Sequence, residues 1–187
     1  YNVYQTLAMA DWSRGPAGTG ETNFESYIAE QYFVPLLAES WEIPNPTTYI
    51  FHLRQGIRFQ DKPPANGREV VADDWVYSLT RTGRLSIGAQ IRFPPDKIYA
   101  RDKYTLVIEL AKPMFNAIKN ISFQEFVYPP EIVGKDDNVD WKNTVGTGPY
   151  ILADYISASS ATLVRNPNYW GYDPLRPKNK LPYANKI

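Results

Sequence analysis

Apolar and polar residues alternate in several stretches of the chain, and a period of two residues is typical of a β-strand. The clearest stretch is residues 48–54, TYIFHLR, where Tyr49, Phe51 and Leu53 fall on one face. Residues 104–110, YTLVIEL, repeat this pattern. Both stretches are therefore predicted to be strands with one buried face.

Strands are also predicted near the two ends of the chain. Residues 1–10, YNVYQTLAMA, are rich in apolar and aromatic side chains. Towards the other end, residues 148–156 and 161–166 are separated by the small polar side chains of residues 157–160. Two strand-like runs around a short polar turn predict an antiparallel hairpin.

One stretch has the period of a helix. In residues 70–83, VVADDWVYSLTRTG, the side chains of Val71, Trp75 and Leu79 recur every four residues and lie on one helical face. We expect this face to be buried, with Trp75 at its centre. We also expect Gly83 to end the helix, because glycine is common just beyond a helix C-terminus.

A second, shorter helix is predicted to begin at Pro113, because proline favours the first position of a helix. Strands outnumber helices along the chain, and short turns join several of them. The pattern thus predicts an α+β fold with mostly antiparallel or mixed sheets and short helices.

The charge and composition of the chain exclude several kinds of partner and site. Its 187 residues include 20 basic and 20 acidic side chains, so we expect no nucleic-acid partner. Cysteine is absent, which excludes a disulfide framework, a thiolate zinc site and a cysteine nucleophile. No apolar run in the sequence reaches the roughly 18 residues that a membrane-spanning helix requires.

Candidate catalytic side chains are few. His52 is the only histidine, and its place in the middle of a predicted strand favours a structural role over a metal site. Asp73 and Asp74 are adjacent on the predicted helix, so their carboxylates do not face each other as an acid–base pair would. They are better explained as favourable charges at the helix start. The residues thus show no evident catalytic constellation, and we predict no catalytic residue, no metal site and no cofactor.

A glycine-rich stretch, RGPAGTGET at residues 14–22, partly resembles a phosphate-binding P-loop. Gly15, Gly20 and Thr22 occupy positions that the motif requires, but Glu21 stands in place of its lysine. Two like charges about 4 Å apart repel each other by roughly 4 kcal/mol at an effective dielectric constant of about 20. We expect a surface turn that binds no nucleotide.

Several longer motifs occur along the chain, from VYQTL at residues 3–7 onwards. The others are LAESWEI, YIFHLRQGIRFQD, NGREVVADDWVYSLTR, DKYTLVIELAKP, VGTGPYIL and LVRNPNYWG. In their order and spacing these motifs resemble family 5 of the extracellular solute-binding proteins of ABC transporters, the peptide- and nickel-binding class, and VYQTL is similar to the first motif of that family. Together they cover residues 33–187, which is most of the chain.

The resemblance implies a fold and a division of the chain. The expected fold is part of the N-terminal lobe of a two-lobed structure like that of the periplasmic binding proteins. Residues 1–36 would be the ligand-proximal part of this lobe, with the glycine-rich loop as an insertion. Residues 37–144 would form a smaller α+β subdomain, and residues 145–187 would return to the lobe.

The resemblance also implies a function and partners. Members of the family capture a small solute, most often an oligopeptide, between two lobes that close over it. The closed form then docks on the permease subunits of an ABC importer. The expected partners are thus a peptide or another small molecule, the membrane permease, and a second lobe of the same protein. The expected location is periplasmic or extracellular, with a lipoprotein anchor.

The resemblance assigns roles to five residues. Gln5, Thr6 and Leu7 match the strand of the lobe that offers backbone hydrogen bonds to a peptide bound as an added β-strand. Gly146 and Gly148 match the segment that crosses back into the lobe, where we expect them to serve backbone geometry or a hinge. Gln5 departs from the family, which usually has glutamate at that place.

The start of the predicted helix also departs from the family pattern, because Val71 replaces the usual threonine N-cap. Valine cannot accept a hydrogen bond from the free N–H groups of the first turn. We therefore expect this helix start to be weaker by about 1 kcal/mol unless another group caps it.

Two other functions are compatible with the composition. An extracellular glycan-binding or glycan-hydrolysing domain would use carboxylates and tryptophans, and the chain has five tryptophans. A structural or adhesion module would bind no small ligand. The lack of a recognisable acid–base pair argues against hydrolysis, so solute capture is the leading hypothesis.

Overall fold

The computed structural model describes residues 2–16, 18–23, 29–86, 95–123 and 125–187. The contacts between residues divide the chain into two compact units. The first unit consists of Tyr1–Gln5, Gly56–Val70 and Val127–Ile187, and the second of Thr6–Gln55 and Val71–Phe126. The division expected from the family resemblance, at residues 36 and 144, stays a prediction.

The described residues form ten strands and two α-helices, together with short 3₁₀ turns. The strands are β1 (Ala8–Ala10), β2 (Phe33–Pro35), β3 (Ala38–Asn45), β4 (Thr48–Leu53), β5 (Pro95–Asp102), β6 (Thr105–Leu110), β7 (Tyr150–Ile156), β8 (Ser160–Arg165), β9 (Tyr172–Asp173) and β10 (Arg176–Lys180). The helices are α1 (Ala72–Leu85) and α2 (Ala117–Phe123). Among these elements no helix is long and apolar enough to cross a membrane.

The largest sheet lies in the second unit and has the strand order β3-β4-β6-β5, with every pair antiparallel. The strands predicted at residues 48–54 and 104–110 are confirmed as β4 and β6, which pair with Phe51 opposite Leu106. They are not half-buried as predicted, because Ile50 and Val107 on the other face are buried as well. Apolar side chains at these alternate positions allow both faces of the central strands to be covered.

Helix α1 contacts β5 and β6 of this sheet. The prediction that Trp75 and Leu79 are buried is confirmed, since they are 0% and 1% exposed, whereas Val71 before them is half-buried. The prediction that Gly83 ends the helix is wrong, because the helix continues to Leu85. Gly83 does not adopt the left-handed backbone that would stop the helix there.

The start of α1 is stabilised without a side-chain acceptor at its N-cap. Val71 makes no side-chain cap, but the Asp74 carboxylate accepts the Val71 backbone N–H at 2.9 Å. The carbonyl oxygen of Lys103 accepts the Ala72 N–H at 2.9 Å. Two N–H groups at the helix start are therefore satisfied by acceptors other than an N-cap side chain, one within the first turn and one outside the helix. Asp74 thus has a structural role at the helix start, as predicted.

Two other boundaries differ from the sequence-based prediction. Helix α2 begins at Ala117 and not at Pro113, because Asn116 has a left-handed backbone with φ of 59° and interrupts the helical path. The strand predicted over residues 1–10 is limited to β1. Strand β1 pairs with β2 in a separate two-stranded sheet of the second unit.

The predicted hairpin near the C-terminal end is confirmed in the first unit. Strands β7 and β8 pair antiparallel around a turn in which Ala158 has φ of 56°. The free edge of β8 is joined by the last residues of the chain, because Leu163 and Ile187 exchange two backbone hydrogen bonds of 2.9 and 3.0 Å. The last residues thus add an isolated β-bridge, between Val164 and Lys186, to the two-stranded hairpin.

Candidate functional site

The candidate ligand-binding segment, Gln5–Leu7, lies where the two units meet in the sequence. Gln5 belongs to the first unit, and Thr6 and Leu7 belong to the second. All three side chains are buried, with exposed fractions of 3%, 0% and 0%. A ligand contact through their side chains would therefore need a rearrangement, and a contact through the backbone depends on which backbone groups remain available.

The carbonyl groups of Thr6 and Leu7 are already used within the second unit. The Thr6 oxygen accepts the N–H of Leu37 at 3.3 Å, and the Leu7 oxygen accepts the N–H groups of Leu36 and Ala38 at 3.1 and 2.9 Å. A peptide added as a strand would have to displace these bonds to use the same oxygens. The ligand-contact role of Gln5, Thr6 and Leu7 stays a prediction.

The Gln5 side chain is held between two aromatic residues of the first unit. Its Nε2 donates a hydrogen bond to the Tyr169 hydroxyl oxygen at 3.0 Å, and its Oε1 accepts one from the Trp170 indole N–H at 3.1 Å. The two aromatic rings lie 5.7 Å apart at an angle of 52°. Burial raises the pKa of Tyr169 above its usual value, and the hydrogen bond from Gln5 partly opposes that rise. The hydroxyl is therefore protonated at neutral pH.

Gly146 and Gly148 lie against the N-terminal segment of the first unit. A Cβ atom on Gly146 would lie 2.0 Å from the Val3 carbonyl oxygen, and one on Gly148 would lie 2.4 Å from the carbonyl oxygen of Asn2. The Gly148 N–H also donates to the Val3 carbonyl at 2.8 Å. These contacts give a backbone reason for both glycines, and their hinge role stays a prediction.

Two buried side-chain amides, which the sequence analysis did not identify, donate hydrogen bonds to the backbone of residues 148–150. The Gln60 amide nitrogen donates to the Tyr150 carbonyl at 2.7 Å, and the Asn166 amide nitrogen donates to the Gly148 carbonyl at 3.1 Å. Gln60 is 0% exposed and Asn166 is 3% exposed. Both residues lie within family motifs next to apolar residues, and this was the signal in the sequence for their burial. A buried polar side chain needs hydrogen-bond partners, so such a residue is a candidate for holding the backbone.

Replacing Gly146 with alanine tests this packing. We expect Gly146→Ala to lower the free energy of unfolding by about 1–3 kcal/mol, because the new Cβ would overlap the backbone of Val3. The matched control is Gly83→Ala in helix α1, where nothing lies within 4 Å of the new Cβ and a gain of about 0.5–1 kcal/mol is expected. Urea unfolding measures both variants. Equal stability of Gly146→Ala and the unchanged protein would contradict the backbone role.

The glycine-rich loop is closed by its own hydrogen bonds. The N–H of Thr19 donates to the Ser13 carbonyl at 2.9 Å, and the N–H of Gly20 donates to the Gly15 carbonyl at 3.0 Å. A P-loop requires such N–H groups to point at phosphate oxygens. Glu21, at the lysine position, forms a 2.8 Å ion pair with Arg14. In the described part of the loop, these N–H groups are thus not available to a phosphate, and the lysine position carries a carboxylate paired with Arg14.

We expect the chain to bind no nucleotide. Titration calorimetry with Mg-ATP should show no heat above that of dilution, because the Glu21 carboxylate repels phosphate and the loop N–H groups of Thr19 and Gly20 are already used. A Thr22→Ala variant serves as the control. Micromolar binding that this substitution abolishes would establish a P-loop and contradict the interpretation of the loop as a surface turn.

The only histidine makes a local contact on the large sheet. His52 Nε2 lies 2.8 Å from Glu42 Oε1 across strands β3 and β4. Within the described ranges no group of three or more His, Cys, Asp or Glu side chains could hold a metal ion. This contact agrees with the structural role that we favoured for His52.

The comparisons with known proteins identify a family. Residues 32–187 match the family model of the bacterial extracellular solute-binding proteins, family 5 Middle. Heme-binding protein A of Haemophilus influenzae is 30% identical over 165 residues, which are 75% of this chain and 30% of that protein. The dipeptide-binding protein of Escherichia coli is 28% identical over 173 residues, which are 80% of this chain and 32% of that protein. The chain thus spans about a third of the length of these relatives.

Solved structures agree with this match. A putative peptide-binding protein of Clostridium difficile superimposes with a TM-score of 0.70 at 18% identity, over 99% of this chain and 34% of the other. A nickel ABC transporter protein of Bacillus halodurans gives a TM-score of 0.67 at 26% identity, over 90% of this chain and 30% of the other. The prediction of an α+β fold that forms part of a lobe of a two-lobed binding protein is confirmed.

Proposed function

Because the chain belongs to family 5 of the bacterial extracellular solute-binding proteins, we propose that its protein is the solute-capturing component of an ABC importer. The solute is an oligopeptide, which the protein binds outside the membrane and delivers to the permease subunits. The observation that carries this proposal is the family match, which extends over residues 32–187. A periplasmic or extracellular location with a lipoprotein anchor belongs to the same proposal.

Peptide is the favoured solute among those that the relatives suggest. The E. coli relative is named for dipeptides, and several further relatives are di- and tripeptide-binding proteins of Pseudomonas aeruginosa at 28% identity. Heme and nickel occur in the names of other similar proteins. Among the described residues there is no candidate metal-ligand cluster.

The proposed binding mode uses the segment Gln5–Leu7 as one wall of the site. Since the carbonyl groups of Gln5, Thr6 and Leu7 are all occupied, ligand contact at this segment would come from its backbone N–H groups. Gly146 and Gly148 allow the chain to pass close to Val3 and would fix the position of the part of this wall that lies in the first unit. A second lobe of the same protein would cover the opposite side of the peptide.

The alternative of an extracellular glycan-binding or glycan-hydrolysing domain receives no support from the relatives. The chain itself belongs to a family of solute-binding proteins. We therefore propose that the protein has no catalytic activity and binds its solute without changing it.

Native mass spectrometry of the full-length protein, purified without refolding, tests the proposal. We expect a co-purified mass series in the range of short peptides, which disappears after partial unfolding and dialysis. A single mass equal to heme or to a sugar would contradict the peptide assignment. Hydrolysis of polysaccharide by the purified protein would contradict solute capture as a whole.

A further inference from the structure

The hydrogen-bond donors and acceptors around Gln5 determine the direction of one hydroxyl group. The Trp170 indole nitrogen can only donate, so the Gln5 oxygen must face it at 3.1 Å. The Gln5 amide nitrogen must then face Tyr169, to which it donates at 3.0 Å. The Tyr169 oxygen accepts this bond, and its own hydrogen therefore points away from Gln5.

That hydrogen has no acceptor among the residues that the structure describes. Tyr169 is 8% exposed, so its side chain is largely removed from water but still reached by it. A largely buried donor that makes no hydrogen bond is unfavourable, because it has given up part of its contact with water. The ring packs closely against Gly171, because a Cβ atom at that position would lie only 2.6 Å from it. Among the described residues, the donor thus lacks a partner.

We propose that the Tyr169 hydroxyl binds the solute by donating a hydrogen bond to one of its carbonyl or carboxylate oxygens. Gln5 is the positioning residue that turns this hydrogen towards the ligand. The proposal rests on the proposed function, since peptides carry oxygens of both kinds. It assigns a direct ligand contact to a residue outside the segment Gln5–Leu7.

The identity of residue 5 decides whether the donor is available. An amide has one donor and one acceptor, so Gln5 satisfies Trp170 and leaves the hydrogen of Tyr169 directed away from itself. A carboxylate can only accept, and it would accept from Trp170 and from the Tyr169 hydroxyl at once. Gln5→Glu should therefore turn the hydrogen inwards and remove the same donor that Tyr169→Phe removes.

The experiment measures peptide affinity by titration calorimetry on the full-length protein at pH 8, with an equimolar mixture of synthetic tripeptides as the probe. We compare the unchanged protein, Tyr169→Phe, Gln5→Glu and the double variant. The control is Tyr172→Phe, which removes a hydroxyl from a nearby side chain that is 56% exposed. Thermal unfolding verifies that each variant is folded.

We expect Tyr169→Phe and Gln5→Glu each to weaken tripeptide binding by about fivefold to tenfold, the effect of one hydrogen bond. The double variant should be no weaker than Tyr169→Phe alone, and Tyr172→Phe should bind as the unchanged protein does. Unchanged affinity of Tyr169→Phe would overturn the proposal, as would losses in the double variant that multiply. If Gln5→Glu does not fold, the comparison of Tyr169→Phe with Tyr172→Phe decides alone.

These outcomes separate the inference from the function on which it rests. If the unchanged protein binds no tripeptide, the peptide function is contradicted, and the Tyr169 contact with it. If the unchanged protein binds and Tyr169→Phe binds equally well, only the contact is wrong. In that case the hydrogen of Tyr169 is satisfied by water.

Discussion

The Trp75→Ala variant should lose about 3–5 kcal/mol of unfolding free energy, the usual result of truncating a buried aromatic side chain. Trp75 is 0% exposed on the buried face of helix α1, with Leu79 at 1% beside it. Removing the indole leaves a cavity next to Leu79. Urea unfolding followed by circular dichroism measures the loss, and a loss below 1 kcal/mol would contradict the assignment of Trp75 to the core.

Two control variants show what Trp75 contributes. Its indole nitrogen has no hydrogen-bond partner in the described part of the chain, so Trp75 should stabilise the protein through packing alone. Trp75→Phe retains much of the apolar volume and removes the unpaired N–H, and it should therefore lose much less than Trp75→Ala. Trp12→Ala should lose under about 1 kcal/mol because Trp12 is 50% exposed. Equal losses for Trp75→Phe and Trp75→Ala would indicate an indole hydrogen bond.

Local patterns predicted those elements whose determinants lie within a few residues of one another. Alternation located β4 and β6, and the four-residue spacing of Trp75 and Leu79 located α1. Boundaries were less certain, because they depend on backbone angles that residue type only favours. Asn116 has a left-handed backbone and delays α2, whereas Gly83 does not and so fails to end α1.

The candidate site was less accessible to sequence reasoning because its contacts join distant parts of the chain. Gln5 and Tyr169 are 164 positions apart, and Gln60 and Tyr150 are 90 apart. No periodicity relates residues at such separations. The family resemblance brought Gln5, Gly146 and Gly148 to attention, but only the structure shows that the Gln5 amide is held by Tyr169 and Trp170.

The largest expected difference in binding is between the isolated 187-residue chain and the full-length protein. The matched segments of this chain span only about a third of the relatives' length, so an enclosing site would lack the groups that the remainder supplies. Tight pockets bury about 70–90% of a small ligand's surface. We expect the isolated chain to bind tripeptides weakly or not at all, and the full-length protein to bind them with micromolar affinity.

The size of the difference follows from the free energy of binding. A micromolar complex corresponds to about −8 kcal/mol, and a millimolar complex to about −4 kcal/mol. If two lobes contribute comparable contacts, the loss of one should weaken binding by about a thousandfold or more. Part of this loss of binding free energy is offset, because the isolated chain needs no closing movement before it binds. The difference should still exceed a hundredfold.

A side-by-side titration of the isolated chain and the full-length protein with the same tripeptide mixture measures this difference. Thermal unfolding of the isolated chain must show a cooperative transition, so that weak binding is not mistaken for failure to fold. Gln5, Thr6 and Leu7 are buried in the chain, so they present little surface to a peptide that has no second lobe above it. Equal micromolar affinity of the two proteins would show that the 187 residues hold a complete site, and the two-lobed mode of capture would then have to be abandoned.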